Sequence, residues 1–151
     1  MLFSAAVVNA AAPSPESPTA TVNVYCTEGA KGRSVEKYLT EEMHGGGDDS
    51  IVVISTFSVE GEILRGERSF VVVQFEEVGT AEACLFKPSR RNELVTFELL
   101  RVNGDWKIVE NGLPMRWSKV QAMSHFQKMA EEQPEHRECW LKSADDVSRI
   151  R

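Results

Sequence analysis

The sequence predicts an α+β fold, in which N-terminal helices pack on a strongly curved, mostly antiparallel sheet and a C-terminal helix follows. Apolar residues at helical spacing occur before residue 45 and again after Ser118, whereas runs rich in β-branched residues fill the middle of the chain. Within that middle part, Asn103-Gly104 lies between two apolar runs, which is the strongest short-range signal for a two-residue hairpin turn. Helices that are separated from strands along the chain are typical of α+β domains with an antiparallel sheet.

The N-terminus resembles a secretory signal followed by a linker. Residues 2–12 form a small apolar run that ends in an A-x-A pattern, although no charged region precedes it. The run is too short to cross a bilayer, and the proline-rich residues 13–18 read as an extended linker. A disordered tail of Ala and Pro is the alternative. We therefore expect a signal and linker at 1–17, one α+β domain at 18–133, a tail at 134–151, and a periplasmic or secreted protein without membrane insertion.

Two helices are predicted before the sheet. Residues 19–28 fit both a strand and a helix, and we favour the helix because Ser17-Pro18 suits its first turn and a second helical pattern follows. That second pattern begins at Ser34 and places Val35, Tyr38, Leu39 and Met43 on one face. Three consecutive glycines at 45–47 then end it, because glycine propagates a helix poorly.

Strands are predicted at 51–63 and 70–75, with 81–86 as an extension of the second. Gly61 and Gly66 are expected to mark a bulge or a turn between them. Residues 87–92, around Pro88, are predicted to form a loop.

The hairpin at 95–110 has a definite register if its loop is Asn103-Gly104. Val102 then lies opposite Asp105, Arg101 opposite Trp106, and Leu99 opposite Ile108, with Arg101 along the indole. After a turn at 111–114, Ser118 and Gln121 have the spacing of a capping box and begin a helix that ends at Gln133-Pro134. A short final turn of helix is expected in the tail.

The composition is that of an ordinary globular domain, with 42% apolar and 26% charged residues among 151. The formal net charge of −6 disfavours a nucleic-acid partner, because phosphate binding requires a basic surface. Cys26, Cys84 and Cys139 allow one disulfide and one thiol, in any of three pairings, or three buried thiols.

With these elements in place, the chain resembles the nuclear transport factor 2-like superfamily, which includes SnoaL-like and ketosteroid-isomerase-like proteins. The resemblance lies in the helical N-terminal third with Tyr25, the long β runs, and the ending LLRVNGDWKIV at 99–109. It covers roughly residues 18–112, and the helix from Ser118 departs from the simplest family plan. The resemblance implies a cone-shaped cavity, self-association as a homodimer through the exposed sheet face, and either binding or isomerase-type activity.

An isomerase or dehydratase of this type would need a carboxylate base in an apolar pocket and a donor such as Tyr25 or Tyr38. The strands supply several glutamates, and the adjacent Glu76 and Glu77 must face opposite sides of the sheet. No acid stands out in the sequence as buried. His136 and Cys139 have the i, i+3 spacing of a ligand pair, but the polar surroundings favour a solvated tail, so we expect no metal and no cofactor.

The leading hypothesis is therefore a non-enzymatic, exported domain that binds a small apolar ligand or a protein partner, with a small cofactor-independent isomerase or dehydratase as the alternative. The aromatic side chains expected at the pocket are Tyr25, Tyr38, Phe57, Phe75, Phe97 and Trp106.

Overall fold

A computed structural model of the chain describes residues 16–41, 50–109 and 112–151. The signal predicted at the N-terminus lies almost wholly outside these residues. In chain order the elements are α1 (Pro18–Ala30), a 3₁₀ turn (Glu36–Tyr38), β1 (Ile51–Arg65), β2 (Arg68–Glu82), β3 (Leu85–Val102), β4 (Asp105–Ile108), β5 (Met115–Ser118), α2 (Lys119–Glu132), a second 3₁₀ turn (Pro134–His136) and α3 (Arg137–Ser148).

The predicted α+β class is confirmed, with a strongly curved, half-barrel sheet of five strands and helices before and after it. The strand order is β4-β3-β2-β1-β5, and every neighbouring pair is antiparallel except β1 and β5. Register shifts interrupt β1 at Gly61 and β2 at Gly79, and such bulges bend and twist a strand. A Cβ at Gly79 would collide with the ring of Phe86, so glycine is required at this bend.

The Asn103-Gly104 hairpin has the register that the sequence predicts. Val102 pairs with Asp105, and Arg101 pairs with Trp106 and places its guanidinium 5.8 Å from the indole centroid. Asn103 and Gly104 have φ angles of 52° and 87°, as a type I′ turn requires. Gly66 likewise adopts a positive φ in the turn between β1 and β2.

Three local predictions are wrong. The helix expected from Ser34 is only the 3₁₀ turn Glu36–Tyr38 within the described residues. Residues 87–92 are strand, because Pro88, which has no N–H, faces Gly79 at the bulge and needs no further partner at this edge. The final turn expected in the tail is a helix of 12 residues.

Helix α1 covers the concave face of the sheet and forms the inner core. Ser17 caps the helix by accepting a hydrogen bond from the Ala20 N–H. Val22 and Cys26 of the helix pack against strand residues that alternate along β2 and β3, which is the period-two pattern of a half-buried strand. The inner-core residues from the strands include Val52, Ile54, Val71, Val73, Phe75, Phe97, Leu99, Trp106 and Ile108.

Helices α2 and α3 pack on the opposite face, near the start of β1 and the turn between β2 and β3. Phe126 and Trp140 lie at the centre of this outer core, against strand residues such as Val53 and Val78. A disulfide joins Cys84 in the β2–β3 turn to Cys139 in α3. Ser143 of α3 adds two hydrogen bonds, since its hydroxyl accepts from the Phe86 N–H and donates to the Cys84 carbonyl.

The remainder of this outer face carries exposed apolar side chains. Leu94 is 65% exposed and Ile63 is 53% exposed, and both lie on the face opposite α1. Self-association through this face stays a prediction. No helix in the described part of the chain combines the length and apolar character needed to span a membrane.

Candidate functional site

A cavity of about 360 Å³ opens between the C-terminal half of α1 and strand β5, at the concave face of the sheet. Its volume lies at the lower end of the range for small-ligand pockets. One wall is α1 and the chain that follows it, the floor includes Phe75, and the other wall is the chain leading into and along β5. The described residues that line it are Tyr25, Cys26, Gly29, Gly32, Arg33, Ser34, Val35, Glu36, Phe75, Leu113, Pro114, Met115, Arg116 and Trp117.

Arg116 is the charged side chain at the base of this cavity. Its side chain is only 9% exposed, and its guanidinium carbon lies 4.2 Å from the centroid of the Phe75 ring. Among the described residues, the nearest carboxylate contact joins Nη2 to Oε2 of Glu93 at 3.9 Å, which is too long for a hydrogen bond. Nε of Arg116 is buried and donates to no acceptor among the described residues. A buried donor without an acceptor costs about 1–3 kcal/mol, and more when the group is charged.

The sheet register explains why Arg116 points inward. β5 runs parallel to β1, with Arg116 beside Val52, an inner-core residue. The next residue, Trp117, faces the other side and makes an edge contact with His125 of α2, with 4.9 Å between ring centroids. No signal in the sequence singles out Arg116, because β5 is only four residues long and joins the sheet through a parallel contact with a distant strand.

A cluster of two carboxyl groups and one guanidinium lies beside Arg116. Nε of Arg91 donates to Oε1 of Glu77 at 2.8 Å, and its Nη2 donates to Oε2 of Glu93 at 3.4 Å. Glu77 is only 2% exposed, so this cluster contains a buried acid that did not stand out in the sequence. The alternation of side chains along a strand placed Glu76 and Glu77 on opposite sides of the sheet, but it could not show which of the two points inward.

The two carboxyl groups have opposite pKa shifts. A side-chain hydrogen bond to Glu77 raises the pKa of Glu93, and partial burial acts in the same direction. Burial alone would raise the pKa of Glu77, but hydrogen bonds from Glu93 and Arg91 outweigh it and bring that pKa below its ordinary value. The two carboxyl groups therefore differ in their affinity for a proton, and the buried Oε2 of Glu77 has no hydrogen-bond partner among the described residues.

Cys26 contributes a thiol to the cavity wall. It is a free cysteine, 6% exposed, and burial raises its pKa to about 12, an effect that the nearby Arg116 charge only partly opposes. The thiol is therefore protonated at neutral pH and behaves as a small apolar group.

The structure brings two of the predicted pocket residues, Tyr25 and Phe75, to this cavity. Phe97 lies behind them in the core, with its ring centroid 5.8 Å from that of Tyr25. Phe57 contacts Phe75 from the neighbouring strand, at 6.2 Å between centroids. Trp106 is buried in the inner core, and Tyr38 lies on the 3₁₀ turn beneath Lys37.

Glu36 is the one carboxylate among the described residues that line the cavity. It is exposed, and it comes from the 3₁₀ turn rather than from a strand. Glu77 and Glu93 face inward from the strands, but they do not line the cavity. By contrast with the exposed Glu36, a general base inside an apolar pocket would be desolvated by the pocket walls. Cys139 is in the disulfide, so it cannot form a metal site with His136.

No family model matches the sequence, and neither a curated protein nor a solved structure shows significant similarity to it.

Proposed function

We propose that this protein is an exported, non-enzymatic domain that binds a small, largely apolar ligand in the cavity between α1 and β5. The cavity carries the proposal, because it combines a ligand-sized volume with aromatic and aliphatic walls from Tyr25, Phe75, Leu113 and Pro114. Its position at the concave face is also where the resemblance to nuclear transport factor 2-like proteins implies a pocket.

Export is supported by the Cys84–Cys139 disulfide together with the signal-like N-terminus. Disulfides form and persist in oxidising compartments and are rare in reducing ones. The bond also holds the α2–α3 pair against the sheet, which is a role expected of a structural disulfide.

The isomerase or dehydratase alternative ranks second. It requires a carboxyl group that is desolvated in the cavity and aligned with a tyrosine donor. Tyr25 does line the cavity, but Glu36, the carboxylate among the described lining residues, is exposed. Binding without chemistry therefore accounts for the residues at the cavity with fewer assumptions.

Gly29 offers a direct test of binding in the cavity. A Cβ at this helical position would meet only Val35 Cγ1, at 4.0 Å, so a larger side chain can be introduced without backbone strain. Gly29→Leu should fill part of the cavity, and it should also favour α1, because leucine has the higher helix propensity. Asn23→Leu is the matched control, since it introduces the same side chain at an exposed position of the same helix.

The measurement is a titration of the full, oxidised chain with octan-1-ol, followed by the amide resonances of the protein. We expect the shifts to concentrate on Gly29, Phe75 and Arg116, and Gly29→Leu to weaken binding about tenfold or more, as the loss of a few buried CH₂ contacts predicts. Asn23→Leu should bind as the unmodified protein does. Absence of shifts at these positions, or equal affinity in Gly29→Leu, would show that the cavity is not a binding site.

A further inference from the structure

We propose that the ligand of this cavity carries one carboxylate, and that Arg116 binds it. The inference rests on the proposed function and specifies the class of ligand: a small monocarboxylic acid with an apolar body. Three observations support it, namely the burial of Arg116 with incomplete pairing, its fixed position on Phe75, and the distribution of charge around it.

Arg116 is a buried cation whose hydrogen-bonding capacity is not used by the described residues. The side chain is 9% exposed, so little water reaches it, and buried Nε donates to no described acceptor. A guanidinium has five N–H donors in a planar fork that matches a carboxylate in two parallel hydrogen bonds. Burial of such a group is costly unless acceptors are provided, and a ligand carboxylate in the adjoining cavity would provide them.

The position of the guanidinium is fixed from two sides. Stacking on the face of Phe75 restricts its plane, and the pairing of β5 with β1 fixes its backbone. Preorganisation of this kind lowers the entropy cost of binding. The 3.9 Å contact to Glu93 is weak, so a ligand carboxylate need not displace a strong ion pair to reach the guanidinium. The apolar body of the ligand then lies against Tyr25, Leu113 and Pro114.

The neighbouring charges leave Arg116 available for an external anion. Glu93 lies closer to Arg91, at 3.4 Å, than to Arg116, and its hydrogen bond to Glu77 favours the protonated form. Arg91 makes the closer contact to each carboxyl group, at 2.8 Å to Glu77 and 3.4 Å to Glu93, and among the described residues Arg116 has only the 3.9 Å contact to Glu93. Glu36 on the cavity lining disfavours a dianion such as a phosphate monoester, because a second negative charge would be repelled. A monocarboxylate therefore fits better than a phosphate.

The test compares octanoate with octan-1-ol, which have the same apolar chain, by calorimetric titration of the full, oxidised protein. Arg116→Gln removes the charge and the fork. Arg33→Gln is the matched control, because Arg33 also lines the cavity but is 63% exposed and already paired with Glu28 at 3.0 Å. We expect octanoate to bind at least about tenfold more tightly than octan-1-ol, as charge-assisted hydrogen bonds in a partly desolvated site predict. That preference should disappear in Arg116→Gln and persist in Arg33→Gln.

The outcomes separate this inference from the proposed function. If both compounds bind with equal affinity, or if Arg116→Gln keeps the preference for octanoate, the cavity binds ligands but the role of Arg116 is refuted. If neither compound binds, the proposed function fails and this inference fails with it. Should Arg116→Gln not fold, as judged by circular dichroism, Arg116→Lys retains the charge without the fork. If Arg116→Lys prefers octanoate over octan-1-ol as strongly as the unmodified protein does, the bidentate contact is also refuted.

Discussion

The disulfide between Cys84 and Cys139 should account for a large part of the stability of this protein. The two residues are 55 positions apart, and the bond connects the β2–β3 turn to α3 across the outer core. In the loop-closure treatment, a cross-link over 55 residues removes about 14 cal/mol/K of entropy from the unfolded chain, which corresponds to about 4 kcal/mol at room temperature. Residual structure in the unfolded chain reduces this figure. We therefore expect Cys84→Ala/Cys139→Ala to lose about 2–4 kcal/mol of unfolding free energy.

Urea unfolding followed by circular dichroism measures the loss, and a thiol titration of the denatured protein checks the bond itself. The unmodified protein should show one titratable thiol, that of Cys26, and three after reduction. Cys26→Ala controls for the removal of a cysteine that is not in the bond. Equal unfolding free energies for the double variant and the unmodified protein would refute the loop-closure reasoning, and three thiols without reductant would refute the pairing.

Two further predictions concern ionisation. Because the pKa of Glu93 is raised in the folded state, its contribution to stability is complete below the ordinary glutamate pKa and is lost as pH rises through the raised value. Glu93→Gln cannot titrate, so its stability relative to the unmodified protein should increase in denaturant titrations as pH rises from the ordinary glutamate pKa of about 4 through the raised value; a constant difference would contradict the raised pKa. Cys26, with its pKa of about 12, should react with iodoacetamide at about pH 8 far more slowly in the native protein than in denaturant. Similar alkylation rates in the two conditions would show that this thiol is not buried.

Local signals predicted much of the fold. The Asn103-Gly104 hairpin could be placed residue by residue, because a two-residue turn sets its register without reference to the rest of the chain. The start of α2 was predicted for the same reason, since the Ser118 hydroxyl accepts a hydrogen bond from the Gln121 N–H within the same turn. The separation of helices from strands along the chain was sufficient for the α+β class.

Local sequence signals failed to predict the structure where contacts between residues distant in the chain outweigh local secondary-structure propensity. The segment around Pro88 has the composition of a loop, yet pairing with β2 makes it strand. Helix α3 lies in a polar segment that reads as a solvated tail, and Trp140, Ala144 and the disulfide hold it against the sheet. Its amphipathic face becomes recognisable only when the sheet surface that it covers is known.

For the site, the sequence by itself determined the kinds of groups that are present: aromatic residues in α1 and the strands, glutamates in alternation, and an arginine between Met115 and Trp117. Only the tertiary structure decided which of them meet. Tyr25 and Phe75 reach one cavity, Glu77 is the inward member of an adjacent acidic pair, and Arg116 is buried against Phe75. The physical reason is that a strand's period of two sorts side chains onto two faces, whereas strand order, bulges and helix packing determine which face is enclosed.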